Sequence, residues 1–297
     1  MSRFAVGYSD YNNSKTALSL VCEQLCTGMG RREPILIVFS SDIDNFEFYS
    51  KQLRRRFPFS TILGMTAYMG FSSKGYSKHA LSCLAIMEGI EIKAGKVKEP
   101  EGGFGEFTAR VIDSIGKLPD KSNTLCFTCG AKMFDCRELC HMQDVMKKND
   151  IKLCGGSLGE EKDKSVFLSY NGDVFERGGF YCFIHNLRGR IELLTQSMNE
   201  GGLENIWNKT ADTVKDWGIK PEFSIVANGI DYTLMMEQQN MLYRFTDKFC
   251  MEFGEYIGFS GYKDENFYEL FIQIQKIWKI IMNGVLLKLG VGDLFQD

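Results

Sequence analysis

Ile35-Leu36-Ile37-Val38-Phe39-Ser40-Ser41, a helical stretch, and then Ser60-Thr61-Ile62-Leu63-Gly64-Met65-Thr66-Ala67 decide how this chain reads. An apolar run ends in small polar residues. A helix follows over roughly Asn45 to Phe57 and stops at Pro58, because proline disfavours the helical conformation of the residue before it. A second short apolar run then enters Gly64. Runs without alternation fit strands buried on both faces, so two of them joined by a helix predict a parallel pair with a crossover.

The pattern returns twice. Thr124 to Gly130 leads to a helix near Asp135 to Lys148 and then to Ile151-Lys152-Leu153-Cys154-Gly155-Gly156-Ser157. Phe223 to Gly229 leads to a helix near Tyr232 to Phe253 and then to Tyr256-Ile257-Gly258-Phe259-Ser260-Gly261-Tyr262. Between the copies, His79 to Ile86, Glu91 to Gly95 and Gly178 to Ile184 read as antiparallel strands. Ser165 to Tyr170 and Val174 to Glu176 flank Asn171-Gly172, a hairpin turn that tolerates positive φ. Asn13 or Ser14 caps a helix reaching Leu25, and another helix covers Gly105 to Ile115. The expected fold class is α/β: repeated βαβ units with mixed parallel and antiparallel sheets.

Composition narrows the function. The 297 residues carry 35 Lys+Arg against 38 Asp+Glu, a net charge of -3, without the basic excess of a nucleic-acid binder. No stretch of about 18 apolar residues predicts a membrane span. The start of the chain has no apolar secretory core, and the ten Cys are scattered through apolar runs. A cytoplasmic protein with reduced, buried thiols is therefore expected.

Reactive chemistry finds little support. Cys126, Cys129, Cys136, Cys140 and His141 suggest zinc by type, yet Cys126 and Cys129 lie at odd spacing on a strand and point to opposite faces. Among three His, His185 follows an apolar strand and is the candidate should haem bind. No Gly-x-Ser-x-Gly elbow and no Gly-x4-Gly-Lys-Ser/Thr loop occurs. A cysteine-dependent enzyme would have to use Cys129 or Cys154. What remains is a set of small groups near the carboxyl ends of strands: Ser40, Ser41, Thr66, Thr128, Gly155, Gly156, Ser157, Asn228 and Ser260. Ligands bind outside those ends in parallel sheets, and hydroxyls with close-approaching glycine backbone can hold a small polar molecule. Turn and capping roles explain the same residues without a ligand.

In order, these motifs resemble the FIST sensory domain. Ile35 to Ser41, Thr61-Ile62-Leu63-Gly64-Met65-Thr66-Ala67 and Ala80 to Ile86 resemble its N-terminal half. Cys154-Gly155-Gly156-Ser157 with the hairpin resembles its second unit, and Tyr256 to Tyr262 the end of its C-terminal half. The resemblance divides the chain into a FIST N-terminal-like part over 1–192 and a shortened C-terminal-like part over 193–262. After these comes an amphipathic or degenerate tail over 263–297, read as helical over Phe267 to Leu289. It implies an intracellular, non-catalytic signal-input domain that binds a small molecule, an amino acid among the candidates. Some relatives are haem-containing nitric-oxide sensors, which makes haem the cofactor alternative. The partner implied is a separate kinase, chemotaxis or cyclic-dinucleotide output protein, with no nucleic acid and no membrane involved.

Overall fold

The computed structural model describes residues 4–29, 34–67, 69–72, 74–77, 79–99, 103–118, 120–131, 136–158, 166–187, 191, 194–197, 212, 216, 223–231, 255–263 and 285–288. The first unit runs β1 (Phe4–Ser9), α1 (Ser14–Met29), β2 (Ile35–Ser40), α2 (Phe46–Arg56), β3 (Thr61–Thr66), a hairpin of β4 (Met69–Ser72) and β5 (Gly75–Ser77), and β6 (Leu81–Ile86). The second repeats this order. It runs β7 (Ile90–Lys98), α3 (Phe104–Ile115), β8 (Thr124–Ala131), α4 (Cys136–Lys148), β9 (Lys152–Leu158), a hairpin of β10 (Leu168–Tyr170) and β11 (Asp173–Phe175), and β12 (Gly178–Asn186). From the third, the described strands are β13 (Leu194–Ser197), β14 (Phe223–Asp231), β15 (Glu255–Lys263) and β16 (Val285–Lys288).

Each expected pair is parallel: β2 with β3, β8 with β9, and β14 with β15. In the first two units a later strand returns antiparallel on the free side of the pair, β6 on β2 and β12 on β8. The first strand of each unit then adds to the returning strand. The full orders are β1-β6-β2-β3-β10-β11, β7-β12-β8-β9 and β13-β16-β14-β15-β4-β5.

Side-chain alternation builds four layers from the first two units. Ile35, Ile37 and Phe39 of β2 and Leu63 and Met65 of β3 meet Leu125, Phe127 and Cys129 of β8 and Phe180 and Cys182 of β12 in one core between the sheets. The opposite-parity residues Leu36, Val38, Ile62 and Cys83 pack under Val21 and Leu25 of α1 and Tyr49 and Leu53 of α2. Cys126, Leu153, Tyr181 and Phe183 pack under Phe107 and Val111 of α3 and Met142 and Met146 of α4. The result is helices, sheet, sheet, helices. Such strands are buried on both faces, which is why they read as continuous apolar runs.

Some expectations are corrected. Asn13 is the cap of α1, since its Oδ1 accepts from the Thr16 N–H at 3.0 Å, and the helix runs on past Leu25 to Met29. The β1 strand and the β4–β5 hairpin have no counterpart in the sequence reading. Residues 285–288, expected to be helical, form β16, because they find a place beside β13 and β14. The helix expected near 232–253 and the tail over 264–284 lie outside the described residues. The third sheet also takes β4–β5 from within 1–192.

Candidate functional site

The parallel registers align the three units residue by residue. Gly64, Gly155 and Gly258 occupy one position in the second strands, and Thr66, Ser157 and Ser260 stand two residues later. Opposite these tips lie Ser40, Gly130 and Asn228 on the first strands. Thr128 falls two residues short of this row, opposite Gly155.

The β4–β5 hairpin brings two of the tips together, those of β3 and β15. Met69 of β4 sits opposite Ser260, only three residues after Thr66, so the end of β3 abuts the end of β15. Leaving β9, the chain next forms β10 on the edge of β3, where Leu168 faces Met65. Each hairpin thus crosses from its own unit to another.

Most of the described tip hydroxyls have backbone partners. Thr66 Oγ1 accepts from the Phe167 N–H at 2.9 Å, and the Thr66 N–H donates to the Phe167 carbonyl at 3.0 Å. Ser40 Oγ accepts from the Asp42 N–H at 3.2 Å. Ser41 Oγ accepts from the Ala80 N–H at 2.8 Å and donates to the Ser77 carbonyl at 2.9 Å. Thr128 Oγ1 donates to the Phe180 carbonyl at 2.9 Å, within the second sheet. Just past Ser41, Asp42 is fixed by Asn45, whose Nδ2 donates to both carboxylate oxygens at 3.0 Å, and by Tyr49, whose hydroxyl donates to Oδ2 at 2.7 Å. Burial and the neighbouring Asp42 hold the Tyr49 phenol well above its ordinary value.

Gly155 is demanded by packing. Its φ is +117°, and a Cβ there would lie 1.5 Å from the Thr128 carbonyl oxygen. Gly156, Ser157, Asn228 and Ser260 are placed by the backbone registers alone.

Among the described residues, two buried serine hydroxyls near this end lack a partner, Ser169 on β10 opposite Gly64 and Ser82 on β6. Ser82 is fully buried, opposite Tyr8 and Phe39 in the sheet, and its hydroxyl makes no hydrogen bond. It shares the inward face of β6 with Leu84 and Ile86. Above it lies Gly70 of β4, where an added Cβ would stand 2.9 Å from Ala80 Cβ and 3.4 Å from Ser82 Oγ. Gly70 faces Phe259 of β15, so the orphan hydroxyl sits where the first and third sheets meet. Sequence reasoning missed Ser82: it is one more small residue in an apolar strand, and only the β4 backbone above it sets it apart.

The other candidates lie elsewhere. His185 is at the far end of its sheet, beside the start of β8, with Nδ1 3.1 Å from Thr124 Oγ1. His79 and His141 are exposed. Cys129 and Cys154 are buried in the apolar layer between the sheets. Burial pushes the thiols of Cys83, Cys126 and Cys182 well above the ordinary value. Among the described residues no cluster of three or more His, Cys, Asp or Glu is arranged to hold a metal ion. None of their helices is long and apolar enough to cross a membrane.

Comparison with known families matches the FIST N domain to residues 35–200, more than half of the chain. No curated protein matches the sequence.

Proposed function

The chain belongs to the FIST family of signal-transduction sensory domains, and we propose that within it this protein is a non-catalytic receptor for a small polar molecule, with an amino acid as the first candidate class. The binding place is the junction of Thr66, β4, Ser82 and the tip of β15. The receptor acts in the cytoplasm, and a separate output protein reads the bound arrangement. The ligand would be held by hydroxyls and backbone of Ser40, Thr66, Ser82, Gly156, Ser157, Asn228 and Ser260, with Thr128 and Gly155 setting the spacing of β8 and β9.

The buried hydroxyl of Ser82 carries this reading. A hydroxyl kept in an apolar interior without a partner costs about 1–3 kcal/mol, and a ligand that hydrogen-bonds it recovers that cost. Its setting adds support. Sheets meeting at a glycine-lined seam can separate or close with little change inside either one, and a ligand shifts such an equilibrium by its differential affinity.

The test is thermal unfolding of the full chain with each amino acid at millimolar concentration. At 100 times its dissociation constant a ligand stabilises by about 2.7 kcal/mol, a rise of a few degrees in Tm. Ser82→Ala removes an unsatisfied group, so the free variant should unfold no earlier than the wild type yet lose most of the ligand-induced rise. No rise with any amino acid, or a rise that Ser82→Ala leaves intact, refutes the proposal.

A further inference from the structure

Among the described residues, two cysteines differ from the rest. Cys83, Cys126, Cys129, Cys154 and Cys182 are buried in the core layers, whereas Cys22 and Cys26 are half-buried. Both lie on α1, four residues apart, and residues at that spacing share one face of a helix. Both border a hollow of about 560 Å³ on the outer surface, together with Ser19, Glu23, Thr27 and Arg56. Arg56, the last residue of α2, reaches across to α1, where its Nη2 donates to Cys26 Sγ at 3.7 Å. The Cys26 thiol and the Arg56 guanidinium are also the charged neighbours that act on Cys22, so the three groups form one cluster.

The spacing decides what the two sulfurs can do. Cβ atoms one helical turn apart are about 5–6 Å from each other, whereas a disulfide wants about 3.5–4.5 Å. The pair does not close on itself unless the α1 backbone moves, and both sulfurs are left to a ligand lying between them. Among the described residues no third His, Cys, Asp or Glu is placed to join them. A zinc ion takes four donors and is poorly served by two. Two thiolates without harder donors suit a soft cation that accepts low coordination, which is the chemistry of copper(I).

We propose that Cys22 and Cys26 form a two-coordinate copper(I) site in the hollow between α1 and α2, with Arg56 as its positioning residue. On binding, two S–H bonds give way to two S–Cu bonds, both protons pass to solvent, and no electron is transferred. The bis-thiolate complex keeps one negative charge, and the Arg56 guanidinium is already hydrogen-bonded to one of its sulfurs. Lys15, which lines the adjoining hollow with Cys22 and Arg56, adds a second positive charge, while Glu23 opposes both. Both helices begin at the strand tips and run away from them, so Cys26 and Arg56 lie toward the other end of the sheet. The site is therefore independent of the receptor reading.

The test is an anaerobic titration of the reduced full chain with copper(I) in competition with bicinchoninate, a coloured copper(I) chelator. The protein should withdraw one equivalent of copper from the chelator, and X-ray absorption of that form should show two sulfur neighbours. Outer partners of a metal site typically contribute 10–100-fold to affinity. Arg56→Gln should thus weaken binding about tenfold, Arg56→Lys should restore most of it, and Cys22→Ser or Cys26→Ser should each cost about a hundredfold or more. Cys83→Ala, in the core beneath α1, should leave binding unchanged. Copper-free thermal unfolding of Cys26→Ser at the wild-type temperature shows that the variant is folded. No copper held against the chelator overturns the proposal. So does an equivalent that survives Cys26→Ser, which places the metal on other thiols. A third sulfur neighbour, or an Arg56→Gln variant that binds as the wild type does, overturns it as well.

Discussion

Gly155 and Gly64 hold the same position in two units and are glycine for different reasons. At Gly155 the backbone is left-handed and the Thr128 carbonyl fills the space of a side chain. At Gly64 an added Cβ would meet Phe46 and Ser169 side-chain atoms at 3.2 Å. Gly155→Ala should therefore cost about 3 kcal/mol or more, and Gly64→Ala about 1 kcal/mol, in urea denaturation of the full chain. The sequence showed that backbone approaches something closely at each glycine, but not what. The tip hydroxyls were legible in the same limited way. Thr66 and Ser40 are visible by type and place, while their engagement by Phe167 and Asp42 depends on where distant backbone arrives. Cys22 gives a further residue-scale outcome. Burial, with the Cys26 thiol beside it, raises Cys22 from an ordinary value of 9.0 to about 11, and Arg56 opposes. Folding thus favours the neutral thiol. Its stabilisation is complete below about pH 9 and is lost as pH rises toward 11. Between those values the wild type should lose more stability than Cys22→Ala, read as the difference in denaturation midpoints.

The parallel pairs were the most legible elements, because strands under helices on one side and a second sheet on the other have no polar alternation to confuse them. The strands that escaped notice are those held by remote partners. In β1, Gly7 interrupts the apolar run; an added Cβ there would lie 2.8 Å from Val21 Cγ1, so the glycine serves the close seat of α1. β4 is four residues long and exists through its pairing with β15, nearly two hundred positions away. The β10–β11 hairpin was legible through Asn171-Gly172, where Asn171 has a φ of 53°. Asn171→Ala leaves the left-handed turn without its favoured residue and the Ile62 N–H without its acceptor. The cost should be about 1–2 kcal/mol by urea denaturation, with the exchange of the Ile62 and Gly64 amides quickened most.

At the scale of the molecule, the hairpins make the units interdependent: the first unit completes the third sheet and the second completes the first. That exchange draws the tips of β3 and β15 together and encloses Ser82 beneath Gly70. In the receptor proposed above, the seam between the first and third sheets would be the equilibrium that a small molecule biases. The outer surface has a hollow between α1 and α2, of about 440 Å³ and lined by Leu18, Cys22, Phe48 and Arg56 among others. The two locations separate the account from its rival. The deciding measurement is an amide chemical-shift titration of the full chain with a mixture of the twenty amino acids. Shifts should concentrate at Ser40, Ser41, Thr66, Gly70 and Ser82. Shifts confined to α1 and α2, or none at all, would contradict a receptor built at the strand tips.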